Sequence, residues 1–117
     1  LCTPPVDGEA AGSALRIVPA QVTRLEEDID LLNVELAPLT SFVLPAGSPA
    51  SAHLHLARTI CRRAEREMVE LSHTAPGAVG GPAIQYMNRL SDLLFVAGRF
   101  ANGRGKADVL WVPGASR

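Results

Sequence analysis

The sequence has few aromatic residues, no marked excess of either charge and no long hydrophobic run. One Trp, one Tyr and three Phe are too few for the stacking platforms on which proteins hold single-stranded nucleic acid. The net charge of -1 over 117 residues argues against a basic nucleic-acid coat. The apolar runs last only a few residues, far short of the roughly 20 that cross a bilayer. Nucleic acid and membranes are therefore not expected partners.

Cysteine is also scarce, and its spacing indicates neither a disulfide framework nor a metal site. Cys2 and Cys61 are far apart in the sequence and lack metal-type spacing. We interpret Cys61 as a small core residue of a reduced, cytoplasmic protein. The opening LCTPPVDGEA shows no basic region followed by an apolar stretch, so no signal peptide is expected. No metal site is predicted, since His53 and His55 would diverge by about 160° on a helix.

Apolar residues recur three and four positions apart in three segments, which is typical of amphipathic helices. The helices are predicted from about Pro19 to Pro38, from Pro49 to about His73, and from Pro82 to about Ala101. The predicted core stripes are Val22, Leu25, Ile29, Leu32 and Leu36; Leu54, Ala57, Cys61, Ala64, Met68 and Leu71; and Ala83, Met87, Leu90, Leu94, Ala97 and Ala101. Gly98 predicts a close helix–helix contact. Without strand-like alternation, residues 1–117 are predicted to form a single all-α helical-bundle domain.

The loop between the first two helices, SFVLPAGS, is unusually apolar. Phe42, Val43 and Leu44 follow one another there, and loops seldom carry three such residues in succession without burying them. We therefore expect these side chains to be buried. The tail carries a second short apolar piece at residues 109–112.

Four arginines lie close together in the second helix, in the segment ARTICRRAEREMVEL. At 100° per residue, Arg58, Arg62 and Glu65 fall beside the apolar stripe. Arg63 points away and pairs with Glu67 in an i,i+4 relation. Glu65 can accept a hydrogen bond from Arg62, but one carboxylate does not neutralise two guanidiniums, which favours a polyanionic ligand. A solvated, salt-bridged surface and an oligomer contact are the alternatives.

The third helix carries a polar edge beside its own stripe. Asn88, Ser91 and Phe95 lie on that edge, with Asp92 and Arg99 further round. An Asn in this position most often satisfies a neighbouring helix or turn. The phosphate-binding glycine motifs, the zinc-binding helix motif and the nucleophilic serine elbow are all absent from the sequence. Catalysis by a protein nucleophile is therefore not predicted.

Four segments in order, SFVLPAGS, RTICRRAERE, YMNRLSDLLFVAGRFAN and DVLWVPG, resemble the PduO-type ATP:cob(I)alamin adenosyltransferases. The resemblance covers most of residues 21–114 and implies a five-helix up-and-down bundle that assembles as a homotrimer. It implies transfer of the 5′-deoxyadenosyl group of ATP onto cob(I)alamin, which forms adenosylcobalamin and releases triphosphate. Mg²⁺ is the usual companion of a triphosphate. The expected partners include an electron-donating reductase and an adenosylcobalamin-dependent enzyme.

The resemblance also implies roles for individual residues. The ATP-binding positions that it implies are Arg62, Arg63, Glu65, Arg66 and Asn88. It implies that Arg58 pairs with an acidic residue near the nucleotide, and that Phe42 binds cobalamin by covering the lower face of the corrin. Arg62, Arg58 and Phe42 are the residues expected to carry the reaction. Fixed guanidiniums stabilise the charge that develops on triphosphate, and Co(I) of the corrinoid is itself the nucleophile.

The family's N-terminal phosphate loop and first helices have no counterpart in this sequence. The chain, which begins at Leu1, is therefore expected to be the C-terminal two-thirds of an adenosyltransferase domain, and the acidic partner of Arg58 would lie in the other part. The first alternative is a non-catalytic helical module that binds or delivers cobalamin. The second is a plain oligomerising bundle whose arginines form ion pairs between subunits.

Overall fold

Three helices account for about half of the chain in the computed structural model, which describes residues 3–117. They are α1 (Pro19–Asn33), α2 (Pro49–Thr74) and α3 (Gly81–Phe100). Within residues 3–117 the β-structure consists of one isolated antiparallel bridge, between Val43 and Leu110, and there is no strand. The all-α prediction is confirmed. The interpretation of Cys2 concerns a residue outside the described range.

Proline and capping groups start the helices where the sequence predicts. Pro49 occupies the first turn of α2, and the Ser48 hydroxyl accepts a hydrogen bond of 3.2 Å from the backbone N–H of Ser51. The end of α1 differs from the prediction, because α1 stops at Asn33 and residues 34–36 continue only as turns. Pro38 disfavours helical backbone in the residue before it, which accounts for part of this shortening.

The middle position in the fold belongs to α3. It packs against α2 on one side and against α1 on the other, and in the described part of the chain α1 and α2 do not contact each other. The buried apolar side chains are Val22, Leu25, Cys61, Val79, Ala83 and Val96. The core role predicted for Cys61 is confirmed, and its thiol donates to the carbonyl of Met87 at 3.2 Å. Leu71, predicted to belong to the core stripe, is instead 45% exposed.

Gly98 lies at a close contact between α3 and α2, as predicted. A Cβ atom at this position would stand 3.2 Å from Nε2 of His55. The surface of α2 that meets α3 therefore includes a fully buried imidazole rather than only the apolar residues of the predicted stripe. Ser51 is buried on the same surface.

A polar network joins the end of α3 to the loop before α2. The buried Asn102 accepts from the Ser48 N–H at 2.8 Å and donates to the Ala46 carbonyl at 3.1 Å. Arg99 is also buried, and its Nε donates to Asp108 at 2.8 Å. These contacts fix the segments on either side of the apolar loop. None of the described helices is both long enough and apolar enough to cross a bilayer.

Candidate nucleotide and corrinoid site

An open cleft of about 540 Å³, here named the basic cleft after its arginines Arg62 and Arg66, runs along the C-terminal half of α2. Its lining residues come from one face of α2, joined by one residue of α3; they are Arg62, Glu65, Arg66, Val69, Glu70, His73 and Asn88. The structure thus brings together four of the five residues predicted to bind ATP. Arg63 does not line this cleft.

Arg62 and Arg66 line the cleft without a carboxylate partner. Among residues 3–117, no salt bridge reaches either guanidinium. The hydrogen bond expected from Arg62 to Glu65 is not formed; Glu65 accepts instead from Nδ2 of Asn88 at 2.8 Å. The ion pair predicted between Arg63 and Glu67 is likewise absent from the described salt bridges. Two guanidiniums that make no salt bridge in the described residues therefore face the cleft, which the carboxylates of Glu65 and Glu70 also line.

Asn88 is held from its other side by its sequence neighbour. Nη1 of Arg89 donates to Oδ1 of Asn88 at 2.6 Å, and Nε of Arg89 donates to Glu26 on α1 at 2.8 Å. Neither contact was predicted from the sequence. The adjacency of Asn88 and Arg89 in NRLSD was visible, but the pairing with Glu26 depends on the packing of α1 against α3.

A second open cleft, of about 650 Å³, lies near the N-terminal half of α2 and is mainly apolar. Its lining residues are Leu39, Thr40, Ser41, Phe42, Val43, Arg58, Phe95, Trp111 and Pro113. The expectation that Phe42 is buried is wrong, because its side chain is 77% exposed. An exposed aromatic ring at the edge of an apolar cleft is suited to contact a large flat ligand.

The backbone of the apolar loop is tied to the tail of the chain, and this holds Phe42 outward. Leu44 N–H donates to the Val109 carbonyl and Trp111 N–H donates to the Phe42 carbonyl, each at 2.8 Å. The Ser41 hydroxyl donates to the Trp111 carbonyl at 2.6 Å. The rings of Phe42 and Trp111 meet edge to face, with centroids 6.1 Å apart. The apolar loop and the C-terminal tail, which are distant in sequence, thus form one wall of the apolar cleft.

Arg58 belongs to the apolar cleft rather than to the basic one. Its guanidinium carbon lies 5.7 Å from the centroid of Phe95, within the range of a cation–π contact. Its Nε is buried and has no hydrogen-bond partner among residues 3–117. This is the arginine expected to pair with an acidic residue.

His55 lies behind Arg58 and Phe95, fully buried between α2 and α3. Neither ring nitrogen has a hydrogen-bond partner within the described residues. Burial lowers the pKa of His55 below its ordinary 6.5, the charge of Arg58 lowers it further, and Asp108 opposes the shift. The imidazole is therefore held neutral. His53 is exposed and contacts the Pro49 carbonyl, so the predicted divergence of the two histidines is confirmed.

No group of three or more His, Cys, Asp or Glu side chains in residues 3–117 is placed to hold a metal ion. Burial, together with the nearby Glu65 carboxylate, raises the pKa of the Cys61 thiol. A raised pKa keeps this thiol protonated and unreactive.

Comparison with known proteins gives one consistent family. The family model described as cobalamin adenosyltransferase matches residues 1–101. The chain is 52% identical to a corrinoid adenosyltransferase of Mycobacterium leprae over 100 residues, which span 86% of this chain and 51% of that protein. It is 48% identical to a cobalamin adenosyltransferase of Cupriavidus metallidurans over 92 residues, spanning 78% of this chain and 49% of that protein.

A solved structure has the same fold. A variant of a PduO-type ATP:corrinoid adenosyltransferase from Lactobacillus reuteri, complexed with cobalamin and ATP, superposes with a TM-score of 0.75 and 33% identity, covering 92% of this chain and 58% of that one. The chain spans about half the length of the curated relatives it matches. With these matches and the two clefts described above, the chain belongs to the cobalamin adenosyltransferase family.

Proposed function

We propose that this chain forms the nucleotide-binding and corrinoid-binding part of an ATP:cob(I)alamin adenosyltransferase. The observation that carries the proposal is the pair of guanidiniums, Arg62 and Arg66, that line an open cleft without a carboxylate partner in residues 3–117. The Lactobacillus reuteri relative is complexed with cobalamin and ATP, the two ligands for which a basic and an apolar cleft are suited.

In the basic cleft, Arg62 and Arg66 bind the triphosphate of ATP. When the C5′–O bond breaks, the electron pair of that bond leaves with the triphosphate, and its added negative charge is stabilised by the fixed guanidiniums. The Glu65 carboxylate accepts a hydrogen bond from Asn88 and makes no salt bridge with either guanidinium. Arg63 does not line the cleft, and its contact with ATP remains a prediction.

In the apolar cleft, Phe42 covers one face of the corrin and excludes water from it. The substrate cob(I)alamin supplies the nucleophile, Co(I), whose electron pair forms the new bond to C5′. The chain's residues supply orientation and a dry surface. Arg58 lines this cleft with a buried Nε that lacks a partner in the described residues, which supports its predicted pairing with an acidic group from outside them.

The remaining expectations stay predictions. They are a five-helix up-and-down bundle of which this chain is the C-terminal two-thirds, a homotrimer, a cytoplasmic location, and Mg²⁺ as the companion of ATP. The electron-donating reductase and the adenosylcobalamin-dependent enzyme are predicted partners of the same kind.

The test is an anaerobic assay of ATP-dependent carbon–cobalt bond formation with the Arg62→Ala variant. Loss of a fixed charge that acts on the transition state is expected to lower kcat/KM by about 100-fold or more. The matched control is Arg24→Ala, since Arg24 is an exposed arginine of α1 paired with Asp28. An unchanged rate for Arg62→Ala would remove the basic cleft from the mechanism.

One alternative is a helical module that binds or delivers cobalamin without transferring an adenosyl group. That module would bind the corrinoid but form no carbon–cobalt bond when ATP is added. A plain oligomerising bundle would bind neither, and ATP would not raise its Tm.

A further inference from the structure

A chain of hydrogen bonds crosses all three helices and ends in the basic cleft. It begins at Glu26 of α1, which accepts from Nε of Arg89 at 2.8 Å. Nη1 of Arg89 donates to Oδ1 of Asn88 at 2.6 Å, and Nδ2 of Asn88 donates to Glu65 at 2.8 Å. Asn88 and Glu65 line the cleft, whereas Arg89 and Glu26 do not. The outer pair therefore acts on the cleft only through Asn88.

The two neighbours of Asn88 determine which way its carboxamide faces. A guanidinium has donors and no acceptor, so Arg89 can bind only the oxygen of the amide. An ionised carboxylate has acceptors and no donor, so Glu65 can bind only the nitrogen. A rotation of the amide by half a turn would replace both hydrogen bonds with repulsive contacts. One orientation is thus selected.

The selected orientation suits an anionic ligand. The Asn88 nitrogen carries two N–H groups, and Glu65 takes one of them, so the second remains a donor. The reversed amide would offer the cleft an acceptor, which repels phosphate oxygens. The same bond holds the Glu65 carboxylate on Asn88, and Arg62 and Arg66 keep no salt bridge in the described part of the chain.

We propose that Arg89, held by Glu26, is a positioning residue that fixes the orientation of the Asn88 carboxamide for ATP in the basic cleft. This inference rests on the proposed function, because it takes ATP as the ligand of that cleft. It gives α1 a part in nucleotide binding although α1 does not line the cleft.

Exposure separates this role from a purely structural one. The side chains of Arg89 and Glu26 are 37% and 47% exposed, and ion pairs this accessible contribute little to the stability of the fold. Replacing Arg89 is therefore expected to change the Tm only slightly while weakening ATP binding. Replacement of a residue with a purely structural role would instead lower the Tm strongly and change ATP binding little.

The test is calorimetric titration of the purified protein with ATP. Arg89→Gln is expected to raise the Kd for ATP roughly tenfold, the effect of losing about one hydrogen bond to a charged group. Glu26→Gln is expected to act in the same direction. The matched control is Arg24→Gln, which removes one positive charge from another exposed ion pair and is expected to leave the Kd within about twofold.

A double variant separates positioning from simple charge. If Arg89 acts through Asn88, then Arg89→Gln adds nothing in an Asn88→Ala background. A further tenfold loss in that background would mean that Arg89 attracts ATP directly and would overturn the inference. If Arg89→Gln leaves the Kd for ATP unchanged while Arg62→Ala raises it, the inference about Arg89 is overturned and the proposed function stands. Absence of ATP binding by the unmodified protein would overturn both.

Discussion

At the scale of single residues, the main feature is a small set of buried polar atoms that have no hydrogen-bond partner among residues 3–117. Buried N–H and ring nitrogen atoms in folded proteins are ordinarily hydrogen-bonded. Here Nε of Arg58 and both ring nitrogens of His55 are buried without a partner among residues 3–117. Both residues lie at or behind the apolar cleft, where a ligand, water or another segment can supply the missing partner.

We expect Phe42→Ala to separate corrinoid chemistry from folding. The side chain is 77% exposed, so its loss is expected to change the free energy of unfolding by only about 0.5 kcal/mol. The rate of adenosyl transfer is expected to fall at least about tenfold, because water regains access to the corrin face. Anaerobic kinetics and urea unfolding measure the two effects. A large loss of stability with an unchanged rate would contradict this role.

We expect His55 to make the protein less stable in mild acid. The pKa of His55 is lowered in the folded state, first by burial and then by Arg58. Above the unfolded pKa of about 6.5 the imidazole is neutral in both states and has no effect on stability. As the pH falls below that value, the unfolded chain takes up a proton that the folded chain does not, so stability decreases.

The measurement is urea unfolding at about pH 7.5 and about pH 5.5, bracketing the unfolded pKa. The control is His55→Leu, which lacks the titrating group and is expected to lose less stability between the two pH values. Equal losses in both proteins would show that other groups cause the acid sensitivity.

The residues of the site were only partly predictable from the sequence. Helical periodicity places Arg62 beside the core stripe, and Glu65 and Asn88, to which the resemblance assigns ATP binding, line one cleft with it. The partner of Glu65 was not predictable, since it depends on which side chain of α3 faces α2. The exposure of Phe42 was wrongly predicted, because backbone pairing with a distant tail, not local composition, determines where its ring points.

At the scale of secondary-structure elements, the start of α2 depends on the end of α3. Asn102 forms hydrogen bonds with the backbone of Ala46 and Ser48, the residues on either side of Gly47. The φ of Gly47 is 112°, a backbone conformation that favours glycine. The Asn102 amide fills the space where a Cβ at Gly47 would lie. The loop that carries Phe42 is therefore anchored at its downstream end by a buried side chain from the turn that follows α3.

We expect Asn102→Ala to lower the free energy of unfolding by about 2–3 kcal/mol, because it leaves the Ser48 N–H and the Ala46 carbonyl without their partner. Urea unfolding measures the change. The matched control is Asn33→Ala at the exposed end of α1, expected to cost less than about 0.5 kcal/mol. Similar losses in the two variants would mean that the buried amide does not hold the loop.

Periodicity predicted the existence of the helices more accurately than their packing faces. The starts of the helices follow from Pro19, Pro49 and Pro82, but a helix period cannot tell which flank of a stripe meets a neighbour. In α2 the buried residues include Ser51 and His55. Because both are polar, a pattern of hydrophobic residues does not predict their burial. The close approach at Gly98 makes room for that imidazole.

At the scale of the whole molecule, large apolar side chains remain exposed on the outer helices. Leu56 and Ile60 of α2 are 57% and 60% exposed, and they lie one helical turn apart. Leu31 and Val34, at the end of α1, are also exposed. Exposed apolar surface of this kind marks contacts with further protein, and the homotrimer that we predict would cover part of it.

We expect light scattering to give a molar mass three times that of the polypeptide, whose 117 residues have a mass of 12.4 kDa. Ile60→Lys places a charge on the exposed apolar patch and is expected to shift the mass toward the monomer, because a charge buried at an interface is costly. Thr59→Lys, at the adjacent exposed position, controls for added charge. A monomeric mass for the unmodified protein would contradict the trimer.

The middle position of α3 has a consequence for how the chain folds. The α2–α3 hairpin closes through the short connection at residues 75–80, whereas the α1–α3 interface must bring together helices with all of α2 between them. Contacts between segments close in sequence require less loop-closure entropy and form sooner. We therefore expect the hairpin that bears the basic cleft to assemble first, and α1, with Glu26, to dock onto it afterwards.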